Sequence, residues 1–204
     1  PMSWSFVSAG PSRFLLAMIM ALVACGAAQA ATPRLICDVD TSTLWSPNHK
    51  MVDIGLNVRY VAACGCVHTL NGNQFAVMIT QDEPLNDIGD GNFAPDACFD
   101  VDDCGCYHLL LRAERQGPAW DKDDTGPKTI GAGDGRVYLI TVTRTVGDVT
   151  YRCCTSVTVT HSQNKDAKAS VAAQAQAAKA ACERAGTMLE YDSEGEGPCT
   201  IAKN

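Results

Sequence analysis

Residues 51–61 read Met51-Val52-Asp53-Ile54-Gly55-Leu56-Asn57-Val58-Arg59-Tyr60-Val61. Val52, Ile54, Leu56, Val58 and Tyr60 alternate with Asp53, Gly55, Asn57 and Arg59. Successive side chains of an extended chain point to opposite faces, so strict period two predicts a strand with one wet face. Other stretches repeat the pattern. Phe75, Val77 and Ile79 share one face of residues 74–80, and residues 107–115 give Tyr-His-Leu-Leu-Leu-Arg-Ala-Glu-Arg. Residues 136–145 are rich in β-branched and aromatic side chains, which suit a pleated surface. Residues 150–161 place Tyr151, Cys153, Val157, Val159 and His161 on one face, and a weaker strand is expected near Arg34 to Asp38. Gly/Asp/Asn/Pro loops separate these runs, with no helix between them. The predicted class is therefore all-β, an antiparallel sandwich of about seven strands.

Both ends differ from this middle. Arg13, the apolar run Phe14 to Val23 and Ala28-Gln29-Ala30 have the charge, length and small-residue cleavage chemistry of a secretory signal peptide over residues 1–30. The apolar run is too short to span a bilayer. Leu22-Val23-Ala24-Cys25-Gly26 also fits a bacterial lipobox, so lipidation of Cys25 is the alternative to cleavage after Ala30. Either path predicts a secreted or cell-surface chain, the second as an outer-membrane lipoprotein. Asn164 to Ala185 is dominated by Ala, Gln and Lys and is followed by Gly186, a helix composition with a glycine stop. Val171 is its one large aliphatic residue, so the helix is expected to project or pack weakly. The expected organisation is a signal peptide over 1–30, a sandwich over 31–162, and a helix with a disulfide-closed tail over 163–204.

The composition excludes several classes. Hydrophobic content is 46%, charged content 19% and formal net charge −7. No basic stripe offers a nucleic-acid surface. Eleven cysteines point to an oxidising compartment or to metal ligation. Taking Cys25 into the export signal or a lipid anchor leaves an even number, which suits a disulfide framework. The candidates are Cys37, Cys64, Cys66, Cys98, Cys104, Cys106, Cys153, Cys154, Cys182 and Cys199. Cys182 and Cys199 flank the tail turn and are expected to pair. Adjacent Cys153 and Cys154 point to opposite faces, so different partners are expected for them.

A repeated pentad carries the alternative. Cys64-Gly65-Cys66-Val67-His68 and Cys104-Gly105-Cys106-Tyr107-His108 share the form C-G-C-x-H. If extended, each segment aligns two thiols and an imidazole on one face. Two such segments side by side would offer a soft-metal site for zinc or copper. Residues 82–96 hold Asp82, Glu83, Asn86, Asp87, Asp90, Asn92 and Asp96 among glycines and prolines. Hard calcium takes six to eight oxygen ligands, so this loop is a calcium candidate, and calcium is the cofactor to expect if there is one. Its other reading is a solvated acidic turn. Residues 121–126 open like a calcium loop, but the twelfth position is Ala132 and not Glu, so this is no EF-hand.

Arg112 and Glu114 share a face while Arg115 points away. They read either as a basic patch or, preferably, as an ion-pair network pinning the acidic loop to the sheet. His49 and His161 stand outside any G-x-S-x-G, H-E-x-x-H or P-loop context, so no enzyme is expected. A carboxylate pair for glycoside hydrolysis stays compatible with the composition.

Several strings occur together: Leu44-Trp45-Ser46-Pro47-Asn48-His49-Lys50-Met51-Val52, Asp82-Glu83-Pro84, Gly89-Asp90-Gly91-Asn92, Ala94-Pro95-Asp96, Leu111-Arg112-Ala113-Glu114-Arg115 and Gly135-Arg136-Val137-Tyr138. Over residues 33–161 this resembles bacterial secreted immunoglobulin-like modules of hyalin-repeat type, with their W-P-P-N-H-K and L-R-A-E-R signature. Asp134 to Tyr138 also resembles the tyrosine corner of immunoglobulin-like domains, with its glycine shifted by one position. The resemblance implies an immunoglobulin-like sandwich serving as a non-catalytic spacer or adhesive unit, with a protein or glycan partner at the cell surface. Ser46 replaces the first proline of the signature. The paired cysteine clusters and the helical tail lie outside the pattern.

Overall fold

The computed structural model describes residues 30–85, 93–115 and 135–194. Among these, eleven strands and one long helix follow in the order β1 (Arg34–Val39), β2 (Thr43–Leu44), β3 (Met51–Asp53), β4 (Leu56–Val61), β5 (Val67–Thr69), β6 (Ala76–Gln81), β7 (Ala97–Val101), β8 (Tyr107–Arg112), β9 (Gly135–Val146), β10 (Val149–Thr160), α1 (Lys165–Ala185) and β11 (Tyr191–Asp192). A short 3-10 turn, Gly72–Gln74, precedes β6. The strands make three sheets, β1-β4-β5, β11-β6-β9-β10-β2 and β3-β8-β7. The chain is thus mostly β with a C-terminal helix, and its strands are more numerous and divided among more sheets than expected.

The division begins inside residues 51–61. The single expected strand is two, β3 and β4, and they belong to different sheets. Gly55 adopts φ 62°, and a Cβ there would stand 2.3 Å from the Asp40 carboxylate. Only glycine tolerates both conditions. Beside it, the Ile54 amide donates to Leu109 O at 3.0 Å while the Ile54 carbonyl accepts from Asp40 N at 3.0 Å. The backbone changes partners at this residue. The side-chain alternation survives the break, because Ile54, Leu56 and Val58 are core residues and Val52 and Tyr60 pack against them.

The long hairpin β9–β10 is the centre of the fold. Its register runs from Val146 opposite Val149 to Gly135 opposite Thr160. The core face of β10 carries Cys153, Val157 and Val159, with Tyr151 packed alongside, as the alternation predicts. Its other face holds Cys154, and that face is covered by α1. The helix starts at Asn164, whose side chain accepts from Ala167 N at 2.7 Å, and stops at Gly186 with φ 70°. Val171, Ala175 and Cys182 are its buried residues. Val171 and Ala175 pack with Val137, and Cys182 packs with Leu139 and Cys154. The helix is docked on β9 and β10, and small side chains let its backbone lie close to the sheet.

Two cross-links join these layers. Cys37–Cys153 ties β1 to β10 with Cα atoms 5.8 Å apart, and Cys154–Cys182 ties β10 to α1 with Cα atoms 6.2 Å apart. Neighbouring Cys153 and Cys154 therefore do have different partners on opposite faces. The expected Cys182–Cys199 pairing is corrected, because the helix turns Cys182 down onto the sheet beside Cys154. Cys98 is disulfide-bonded as well. Cys25, Cys199, Asp87, Asp90, Asn92, residues 121–126 and all of the expected signal segment except Ala30 lie outside the described residues. No helix of the described residues is long and apolar enough to cross a membrane.

Candidate functional site

Two places gather chemistry-bearing residues. The first lies where the start of β9 meets the end of β8. Gly135 has φ 121°, and a Cβ there would meet Val159 O at 2.5 Å, so the chain can pass close to β10 only with glycine. The next residue, Arg136, is fully buried. Its Nε donates to Glu83 Oε2 at 3.1 Å, its Nη1 to Asp96 Oδ2 at 2.5 Å and Glu114 Oε1 at 3.4 Å, and its Nη2 to Pro84 O at 3.1 Å. Gln81 Nε2 also donates to Asp96 Oδ2, at 2.7 Å. Arg112 reaches across the same region, donating to Pro95 O at 2.6 Å and to His49 O at 3.0 Å. The Tyr138 hydroxyl donates to Arg112 O at 2.9 Å.

A buried charge needs an oppositely charged partner and hydrogen bonds, and this network gives Arg136 both, while Asp96 Oδ1 and Gln81 Oε1 accept no hydrogen bond. Three carboxylates, Glu83, Asp96 and Glu114, face two guanidiniums here. Burial, then the hydrogen bond and negative charge of Asp96, push the Glu114 carboxyl up to about 9. Glu114 is thus the carboxyl of this cluster whose protonated form the surroundings favour. Burial likewise pushes the Tyr138 phenol up. The network matches the ion-pair reading of Arg112 and Glu114. Glu83 and Asp96, two of the calcium candidates, are Arg136 partners, and Asp82 Oδ1 accepts from Val137 N at 2.8 Å. Arg136 as the hub was missed, and an arginine beginning an otherwise apolar strand was the available signal.

Phe93 forms an exposed aromatic edge beside this base. It is 47% exposed, and Trp45, four residues before His49 in the sequence, is 51% exposed. The Phe93 ring lies 5.2 Å from the His49 ring and 5.5 Å from the Arg112 guanidinium carbon. His49 Nδ1 is 3.1 Å from Glu114 Oε2. His49 has φ 61°, uncommon for a residue with a Cβ, and its amide and that of Asn48 both donate to Ala113 O.

The second place is the pair of C-G-C segments. Neither is extended, so the expected one-face alignment of cysteines and histidine is corrected: both segments are tight turns, one between β4 and β5 and the other between β7 and β8. In the first, Gly65 N donates to Ala62 O at 2.8 Å and Ala62 N to Cys66 O at 2.9 Å. In the second, Gly105 N donates to Asp102 O at 2.9 Å and Asp102 N to Cys106 O at 2.9 Å. Gly65 has φ 81° and Gly105 φ 79°. Cys64 and Cys66 are joined as a disulfide, with Cα atoms 5.4 Å apart. Cys104 and Cys106 are free, exposed thiols with sulfurs 2.6 Å apart.

Asp102 distinguishes the second turn. Its Oδ1 accepts from Cys104 Sγ at 2.9 Å, Cys104 N at 3.0 Å and Cys106 N at 2.8 Å. The Cys104 hydrogen bond, foremost, holds the Asp102 carboxyl below its usual range. Reciprocally, Asp102 and then the Cys106 sulfur push the Cys104 thiol up to about 11. His108 Nδ1 lies 2.7 Å from Asp53 Oδ2, which raises the imidazole, while His68 is exposed on β5. Among the described residues, Asp102, Cys104 and Cys106 form the group whose ligand atoms, all within 4.8 Å of one another, could share an ion. The six-residue soft-metal set is not assembled, because Cys64 and Cys66 are bonded to each other. Asp102 was missed. Its signal is the contrast of Asp102-Asp103 with Ala62-Ala63 ahead of otherwise matching pentads.

No family model, curated protein or solved structure matches the chain.

Proposed function

We propose that this chain is a non-catalytic, immunoglobulin-like module of the cell surface or extracellular space, stapled by disulfides, that binds a protein or glycan partner. The observation that carries this reading is the exposed aromatic edge that Phe93 forms against His49 and Arg112, with exposed Trp45 four residues before His49 in the sequence. Large aromatic side chains held on a rigid base contribute binding area at low entropic cost. The unusual backbone of His49 at this edge supports the reading, since strained residues persist where the surroundings hold them for a purpose. The disulfides support an oxidising compartment.

Binding of the labelled full chain to intact cells and to immobilised glycans tests this. Trp45→Ala and Phe93→Ala should each weaken binding by about tenfold, as loss of an aromatic anchor does. Undiminished binding by both variants, or no binding by the unaltered chain, overturns the reading. A soft-metal binding protein is the second reading, favoured by the Asp102, Cys104 and Cys106 cluster. Zinc retained after dialysis, with Cys104 and Cys106 shielded from alkylation, would raise it to first place.

A further inference from the structure

We propose that Cys104 and Cys106 are a redox-active pair, which in its disulfide form accepts electrons from an external dithiol, and that Asp102 poises it for that role.

The two C-G-C turns have the same backbone hydrogen bonds and the same left-handed glycine. One holds a closed disulfide. The other holds its two thiols side by side in the same turn. Both of those thiols are exposed, as thiol–disulfide exchange requires.

What differs is the residue two positions before the first cysteine. Asp102 accepts a hydrogen bond from the Cys104 thiol, and its counterpart Ala62 offers no acceptor side chain. An ionised carboxylate is a strong acceptor, and a disulfide has no proton to give it. Oxidation therefore breaks the bond, and reduction restores it. A pair whose reduced form is selectively stabilised is the more oxidising pair.

The exchange balances in two steps. A thiolate of the external dithiol attacks one sulfur of the Cys104–Cys106 disulfide, breaking that bond and forming a mixed disulfide. The second external thiol then displaces the remaining cysteine. The external dithiol is oxidised by two electrons to its disulfide, and its two protons end on Cys104 and Cys106, with the Cys104 proton shared towards Asp102.

The test equilibrates the full chain with reduced and oxidised dithiothreitol at graded ratios. Acid quenching, maleimide labelling and peptide mapping then read each pair. Cys104–Cys106 should open at a lower reduced-to-oxidised ratio than Cys64–Cys66 in the same molecule. Asp102→Ala should move the first midpoint towards the second by about fivefold, the scale of one hydrogen bond. Ala62→Asp should make Cys64–Cys66 easier to open by a similar factor. Four outcomes overturn the proposal: both turns opening at one ratio, substitutions that leave both midpoints unmoved, thiols at 104 and 106 that never oxidise, and protection of both by bound zinc. The comparison between turns needs no variant, so a variant that fails to fold does not spare it.

Discussion

The turn at Cys64-Gly65-Cys66 and the turn at Cys104-Gly105-Cys106 have one backbone and two chemical states. Their hydrogen-bond pattern and glycine conformation agree, yet the first is a disulfide and the second a dithiol. Ala62-Ala63 leads into one and Asp102-Asp103 into the other. The lesson is that turn geometry sets which sulfurs meet, while a neighbouring side chain sets what else they meet: Asp102 offers the Cys104 thiol an acceptor that Ala62 lacks. The longest of the described cross-links, Cys37–Cys153, is of another kind. It spans 116 residues and joins two sheets through the core.

That difference can be broken most forcefully at the long link. Replacing Cys37 and Cys153 together by alanine should cost about 4.5 kcal/mol, by the entropy of closing a loop near 100 residues. Denaturant unfolding measures it, and a loss as small as that from opening a C-G-C turn would abolish the distinction.

A buried carboxyl sharpens the contrast with exposed Asp102. Glu114 has its proton affinity raised in the folded chain, so the folded state binds more protons than the unfolded one between the ordinary carboxyl range and about pH 9. Its stabilising contribution is complete below that range and is lost as pH rises through it. Glu114→Gln should flatten the decline, retaining on the order of 3 kcal/mol more between pH 5 and pH 9 than the unaltered chain. Thermal melts at the two pH values decide this, and parallel declines would remove Glu114 as the titrating group.

Opening the first turn should matter less. Cys64→Ser with Cys66→Ser should cost about 1.5 kcal/mol, because a ring across two residues removes little chain entropy. Calorimetry reads the loss, and one rivalling the long link would make this turn a structural staple.

The smallest effect is at His108. Asp53→Asn should lower the titration midpoint of His108, because it removes the carboxylate that favours the imidazolium. Proton NMR follows the imidazole, and an unmoved midpoint would deny His108 its private partner.

Residues 51–61 show how far the pattern could be read. Alternation correctly marked Ile54, Leu56 and Val58 for the core, because pleating fixes the face of each side chain. It could not show that Ile54 changes backbone partners, since those partners, Asp40 and Leu109, are distant in sequence. The helix boundaries were legible in Asn164 and Gly186 for a local reason, the capping of unpaired backbone groups. Its docking was not, because a stripe of alanines reveals little until a sheet lies against it. At the first candidate site, Arg112, Glu114 and His49 were visible as residues. The meeting of Glu114 with Arg136 was not, because Glu83, Asp96 and Glu114 arrive from separate loops.

The sequence alone determined the β-rich class, the faces of the main strands, the capped C-terminal helix and the separation of Cys153 from Cys154. These follow from periodicities and caps that act within a few residues. Only the tertiary structure decided the three-sheet division, the Cys154–Cys182 partnership, the buried ion-pair network and the different fates of the twin turns. Each of those depends on groups brought together across the chain, where burial and neighbouring charge determine what a residue does.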